Sequence, residues 1–297
     1  MRESSRIFLN LADYQLEGLY VLVVITFKEF HMNKFSTSFK AAVVAVGIIG
    51  ASAASAGGFG PVLPGGATPA TVVLVHGAWA DGSSWSKVIP LLQSRGVNVV
   101  AVQLDLKTLK DDADIVSRAV AAQPGKVVLV GHSYGGAVIT QAGVDAKVAG
   151  LVYVAAFAPG NGESIADMTK PFPAPPWQAG LVADSKGFLT LNQATYVSTF
   201  ASDLPRAQSM VLSATQSPIF NHALADKVDV AAWKTKPSRW VLSGGDAMVP
   251  APFQQAQASR IGAQVTTVPK ASHVVMLSHP VEVSDVIFAA VRDAGTL

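Results

Sequence analysis

Gly131-His132-Ser133-Tyr134-Gly135-Gly136 is the stretch that decides the fold. It follows the apolar run Lys126-Val127-Val128-Leu129-Val130, which reads as a buried strand. It precedes Ala137-Val138-Ile139-Thr140-Gln141-Ala142, which reads as a helix start. Its first five residues fit Gly-x-Ser-x-Gly. On a strand-to-helix turn of this kind the serine sits at a strained apex, with its hydroxyl projecting at the top of a sheet. The helix begins directly behind it, so free backbone N–H groups face whatever the serine attacks. Short Gly/Ser runs also form plain turns, so the rest of the chain has to supply the partners such a serine needs.

A serine hydroxyl is a poor nucleophile at neutral pH. It needs a histidine base, and the histidine needs a carboxylate to fix its tautomer. On an elbow of this type the order is Ser, then Asp or Glu, then His. Asp246 lies just after the strand-like Ser238-Arg239-Trp240-Val241-Leu242-Ser243, on the glycine loop Gly244-Gly245-Asp246. A turn-forming or helix-capping Asp is the plain alternative. Asp203, Asp226 and Asp229 compete less well, because they lie away from any sheet strand. His273 follows the last strand-like run, 264–268, and is the expected base. His222 falls in an insertion, and His279 before Pro280 reads as the start of the closing helix. The first strand, Thr71-Val72-Val73-Leu74-Val75, ends in His76-Gly77. The loop there and the residue after the nucleophile supply oxyanion donors in this architecture, here the backbone N–H groups of Ala78 and Tyr134. A metal site at His76 and His132 is disfavoured, since no acids or histidines stand at ligand spacing, and His132 reads as a packed elbow residue.

Around these residues, apolar strands and helices alternate from Thr71 to Tyr153. Strands are expected at 97–102 and 148–153, and helices at 85–94 and 109–122, the latter with Ile115, Ala119 and Ala122 inward. This is the signature of a parallel sheet flanked by helices. The alternation stops over residues 158–236, where prolines and aromatics are scattered. An insertion of that size reads as a helical cap over the strand ends. It resumes at 238, with helices at 252–261 and 281–291. Residues 70–297 thus read as one α/β domain.

The chain has 297 residues, is 50% hydrophobic, carries a formal charge of +2 and contains no cysteine. Thiolate chemistry and disulfides are excluded. Basic residues are not clustered with aromatics, so nucleic acid is not an expected partner. Residues 32–56 read as a signal peptide: a basic start at Met32-Asn33-Lys34, an apolar run 41–50, and a small-residue cleavage site Ala54-Ser55-Ala56. The run is short for a membrane anchor, so no stable anchor is expected after cleavage, and the protein is expected to be periplasmic or secreted. Residues 57–69 read as a linker. Residues 1–31 read as a non-native upstream extension with Met32 as the true start; the rival reading is a membrane segment around 19–27.

Together the residues resemble the α/β-hydrolase superfamily over 70–294. Val73-Leu74-Val75-His76-Gly77-Ala78-Trp79, the elbow, and Ser272-His273-Val274-Val275-Met276-Leu277-Ser278 are similar to the branch of plant methyl esterases, hydroxynitrile lyases and bacterial pyrethroid-hydrolase-like esterases. Tyr153-Val154-Ala155-Ala156-Phe157-Ala158-Pro159 is similar to the way bacterial members enter their cap. The resemblance implies Ser133 as nucleophile, Asp246 as acid, His273 as base, and Ala78 and Tyr134 as oxyanion donors. The lyases of the branch generally carry lysine directly after the catalytic histidine and threonine after the first-strand histidine. Here those places hold Val274 and Gly77, which argues for ester hydrolysis. The expected activity is a cofactor-free serine esterase acting on small to medium hydrophobic esters, with Trp79, Phe157, Trp177 and Phe220 as candidate pocket walls. The alternatives are a cofactor-free perhydrolase or haloperoxidase, and a non-catalytic ligand-binding protein on the same fold.

Overall fold

Strands that are apolar on every residue can only be satisfied with both faces covered. The computed structural model covers these runs in that way. It describes residues 70–295 and four upstream strands, Gln15–Leu16, Leu19–Tyr20, Val24–Glu29 and Lys40–Ala45. The chain falls into two units, Met1–Gly58 and Phe59–Leu297. In the first, Val24–Glu29 pairs antiparallel with Lys40–Ala45, and Gln15–Leu16 with Leu19–Tyr20. Apart from the strand at its apolar run, the expected signal peptide lies outside the described residues, as does the linker 57–69. Among the described residues no helix is long and apolar enough to cross a membrane.

The second unit is built on six strands: β1 (Thr71–Val75), β2 (Asn98–Ala101), β3 (Val127–His132), β4 (Val148–Val154), and, beyond the cap strands, β8 (Ser238–Ser243) and β9 (Gln264–Val268). Their order is β9-β8-β4-β3-β1-β2, and every pairing is parallel. A parallel sheet puts all strand C-termini on one edge, so the loops after β1, β3, β8 and β9 meet there. The central strands β1 and β3 are buried throughout. Trp240 of β8 stacks on its register partner Tyr153 of β4, with ring centroids 5.2 Å apart.

Helices α1 (Ile89–Gln93), α2 (Leu109–Ala121), α3 (Tyr134–Ala142), α6 (Ala251–Arg260), α7 (Val275–Ser278) and α8 (Pro280–Asp293) accompany the sheet. The helix expected over 85–94 is divided: a 3-10 turn at Gly82–Trp85, capped by Asp81, precedes α1, which has proline in its first turn. In α2 the fully buried stripe is Leu109, Asp112, Ala113, Val116 and Val120; of the residues expected inward, Ile115 and Ala119 pack half-buried against the core and Ala122 is exposed. Asp112 is itself buried. Its carboxylate accepts hydrogen bonds from Tyr134 Oη–H (2.8 Å) and from the N–H groups of Asp105 and Leu106. Burial raises the Asp112 pKa above the usual carboxylate value and, with Asp112 alongside, raises that of Tyr134 well above the usual phenol value.

The insertion between β4 and β8 carries helices α4 (Ile165–Thr169) and α5 (Arg206–Thr215) and further helical turns over 193–200. It also holds a small antiparallel sheet not foreseen from the sequence: β5 (Leu181–Ala183), β6 (Phe188–Leu191) and β7 (Ile219–Phe220), in the order β7-β6-β5. These strands are too short to announce themselves by periodicity.

His76 and His132, at the ends of β1 and β3, are almost wholly buried. Burial lowers the pKa of His76 below its ordinary value and that of His132 well below it; in His132 the neighbouring His273 adds to the effect. Both rings are therefore neutral in the folded state, while the unfolded chain protonates them near 6.5. Below that pH the unfolded state binds more protons, so this contribution is complete above 6.5 and declines as pH falls toward the folded values. Urea unfolding at pH 7.5, 6.5 and 5.5 is expected to give falling midpoints; equal midpoints at all three would contradict the neutral-histidine assignment.

Candidate active site

Ser133 sits between β3 and α3 with φ 53° and ψ −121°. A non-glycine residue there is strained by about 1–3 kcal/mol and has to be held by its surroundings. Three backbone bonds do so. Ser133 N–H donates to the Val154 carbonyl (3.2 Å), and the Ser133 carbonyl accepts from Gly136 N–H (2.9 Å) and Phe157 N–H (3.2 Å). Close packing completes the hold. A Cβ on Gly135 would lie 2.6 Å from the carbonyl oxygens of Val75 and His76. A Cβ on Gly77 would lie 2.8 Å from Ser133 Cβ and 2.9 Å from the His132 carbonyl oxygen. Helix α3 can therefore press against β1, and the β1 loop against the serine, because these two residues have no side chain.

Asp246 and His273 come together as the chain order implies. His273 Nδ1 lies 2.7 Å from Asp246 Oδ2, and both side chains are essentially inaccessible, at 1% and 0% exposure. A carboxylate only accepts, so Nδ1 carries the hydrogen and Nε2 presents its lone pair. Asp246 Oδ1 accepts from Met248 N–H (2.7 Å) and Val249 N–H (2.9 Å), and Oδ2 also accepts from the Gln254 side-chain amide (3.1 Å). A buried carboxylate without such donors would cost several kcal/mol. The two loops are also zipped together: Gly244 N–H donates to the Val268 carbonyl and Gly245 N–H to the Ala271 carbonyl.

The histidines behind the site have assignable tautomers. Leu104 N–H donates to His76 Nε2 (3.0 Å), so His76 Nδ1 carries the hydrogen and donates to the Gly77 carbonyl (2.9 Å). The Gly77–Ala78 peptide is planar and trans. Holding its carbonyl on one side aims the Ala78 N–H to the other. The second expected donor, Tyr134 N–H, opens α3 and has no acceptor within the helix. His132 Nε2–H donates to the His273 carbonyl (2.8 Å), with the two rings 4.6 Å apart. His132 Nδ1 is buried without a hydrogen-bond partner, as a neutral ring tolerates better than a charged one.

Of the candidate walls, three are brought near the site. Trp79 (φ 58°) is buried and meets Trp177 edge-on at 5.8 Å and Phe200 at 6.2 Å. Trp177 donates its indole N–H to the carbonyl of Met248, beside Asp246. Phe157 bonds the Ser133 carbonyl through its N–H and packs on Phe253. Phe220 is not drawn into this cluster: it lies in β7 against Phe188. A cavity beside the His273 loop is lined by Trp79, Tyr196, Phe200, Leu212, Val274 and Leu277, among others; neither Ser133 nor His273 is one of its walls. Among the described residues no three His, Asp or Glu side chains converge as a metal site would require.

Sequence reasoning gave no role to Gln254, Asp112 or Phe200, and set Asp203 aside as an acid away from the strands. The spacing of Gln254, Gln257 and Ala258 on the buried side of α6 was the available signal for Gln254. Asp112 stood at helical spacing within an apolar stripe. Phe200 and Asp203 carry no motif; their positions follow from how the cap folds back.

The profile of the alpha/beta hydrolase family matches residues 72–286. Polyneuridine aldehyde esterase of Rauvolfia serpentina is 26% identical over 254 residues, covering 71% of this chain and 91% of that protein. A pyrethroid hydrolase of Sphingobium wenxiniae is 37% identical over 107 residues, which is 30% of this chain and 36% of that protein's length. The crystal structure of polyneuridine aldehyde esterase matches with a TM-score of 0.67 at 23% identity, covering 75% of this chain and 99% of that one. An extracellular alpha/beta-hydrolase from a Paenibacillus species matches with a TM-score of 0.65 at 22% identity, covering 75% and 99%. These structural likenesses carry the fold. With its elbow, its parallel sheet and a profile match spanning most of its length, the chain belongs to the alpha/beta hydrolase family.

Proposed function

We propose that the protein is an exported serine esterase acting on small to medium hydrophobic carboxylic esters. The observation that carries this reading is the buried 2.7 Å Asp246–His273 pair on the strand edge that also bears Ser133 at its strained elbow. Ser133 Oγ attacks the acyl carbon as His273 Nε2 takes its proton. The oxygen that becomes negative is received by the N–H groups of Ala78 and Tyr134. The imidazolium returns the proton to the leaving alcohol, and water then hydrolyses the acyl-enzyme by the same base. Asp246 stabilises the imidazolium. His132 remains neutral beside it, because its pKa lies well below the ordinary value, so no second positive charge arises at the ring contact.

Ester hydrolysis is favoured over cyanohydrin cleavage by two local features. The residue behind the base, Val274, is apolar and 2% exposed, so it offers no cation. Gly77 has no room for a side chain against Ser133. Names of relatives such as pyrethroid hydrolase, polyneuridine aldehyde esterase and carbendazim hydrolyzing esterase point the same way. The aromatic group Trp79, Trp177 and Phe200 suits an apolar acyl or alcohol portion.

Turnover of p-nitrophenyl acetate and butyrate by the wild type, with loss of roughly 10^4-fold or more in Ser133→Ala, is the expected result. Absence of turnover in the wild type, with no fluorophosphonate labelling of Ser133, would exclude a serine esterase. Gly77→Ala is expected to lower kcat about 100-fold by displacing the serine; an unchanged kcat would mean the β1 loop does not set its position. Export rests on residues 32–56, and N-terminal sequencing of protein recovered outside the cytoplasm is expected to start near Gly57. A start at Met1 would remove that part of the reading.

A further inference from the structure

His273 is anchored from two sides by the core: its Nδ1–H by Asp246 and its carbonyl by His132. A third anchor comes from the cap. Ser272, the residue before the base, donates its backbone N–H to Asp203 Oδ2 (2.8 Å) and its hydroxyl to Asp203 Oδ1. Both oxygens of one cap carboxylate are thus engaged by one residue of the base loop. From the same cap segment the Phe200 ring meets the His273 imidazole edge-on at 5.0 Å. Asp203 also faces His279, whose Nδ1 lies 3.9 Å from Oδ2 and 2.9 Å from Ser278 Oγ.

The Asp246 bond fixes one ring atom of His273, and the His132 and Gly245 bonds hold the carbonyls of His273 and Ala271; none of these holds Ser272, the residue between them. The productive position of Nε2 must hold within about 0.5 Å. Two charge-assisted bonds one residue upstream supply the missing constraint. We propose that Asp203 is a positioning residue for His273: through Ser272 it fixes the backbone of the base, so the cap takes part in building the catalytic geometry as well as covering it. This rests on the reading of His273 as base.

A purely structural Asp203 would change stability and leave the turnover of folded enzyme intact. The test therefore compares Asp203→Ala, Asp203→Asn and Ser272→Ala with wild type and Ser133→Ala. Each is measured for kcat, KM, the rate of fluorophosphonate labelling at Ser133, the low-field NMR signal of the His273 Nδ1 proton, and the urea midpoint. Asp203→Ala is expected to lower kcat and labelling rate about 10- to 100-fold with KM within about twofold, and to broaden or shift the proton signal. Asp203→Asn keeps one acceptor oxygen and is expected to lose less. Ser272→Ala removes the hydroxyl donor alone, perturbs folding least, and is expected to move in the same direction. Folded Asp203→Ala or Ser272→Ala that labels Ser133 at the wild-type rate, with the proton signal unchanged, would overturn the positioning role while leaving the esterase reading intact. If the wild type itself is neither labelled at Ser133 nor active on esters, the base assignment falls and the positioning role with it.

Discussion

The backbone of Ser133 is the constraint on which the rest of the site depends. A residue with φ 53° and ψ −121° does not hold that shape unaided. Its carbonyl is pinned by the first turn of α3 and by Phe157, and its N–H by the end of β4. Those elements can close around it only where glycine removes the intervening side chain. The strain is thus distributed into β1, β3, β4 and α3, which together form the centre of the sheet. Core stability and hydroxyl placement are one problem in this chain.

Charge is handled by a similar economy of parts. Asp246 is buried, and each of its neighbours is a donor: two backbone N–H groups, the Gln254 amide and the His273 ring. Gln254 also bonds the Val249 carbonyl and accepts from Ser243 N–H, so it braces the loop while satisfying the acid. Two further histidines lie within the same small volume and are kept neutral by burial. One acts through a peptide carbonyl at Gly77 and the other through the carbonyl of His273. The site contains three imidazoles, one of which has a carboxylate ready to receive a proton's charge.

The legible parts of the sequence were those with local physical signatures. Strands buried on both faces are continuous apolar runs, and glycines beside a serine announce a tight turn; β1, β3, β4 and β8 were found in this way. Because parallel strands end on one edge, chain order alone brought Asp246 and His273 together. The face of α2 was read only in part: Ile115 and Ala119 do pack against the core, but a buried Asp112 looks like a surface residue until its donors are known. The cap sheet escaped notice because its strands have two to four residues. Asp203 was set aside for lying away from the strands, yet it reaches Ser272 across 69 residues of sequence. Long-range polar contacts of this kind leave no periodic trace.

The cap also interrupts the chain between β4 and β8, which are neighbours in the sheet. On the proposed reading, the nucleophile stands before this interruption and the acid and base after it. The strands ahead of the cap, β1, β3 and β4, then carry the serine and the oxyanion loop but no group to take the proton. That group joins them only where β8 lies beside β4 and β9 beside β8. What the insertion parts along the chain, the sheet reunites in space.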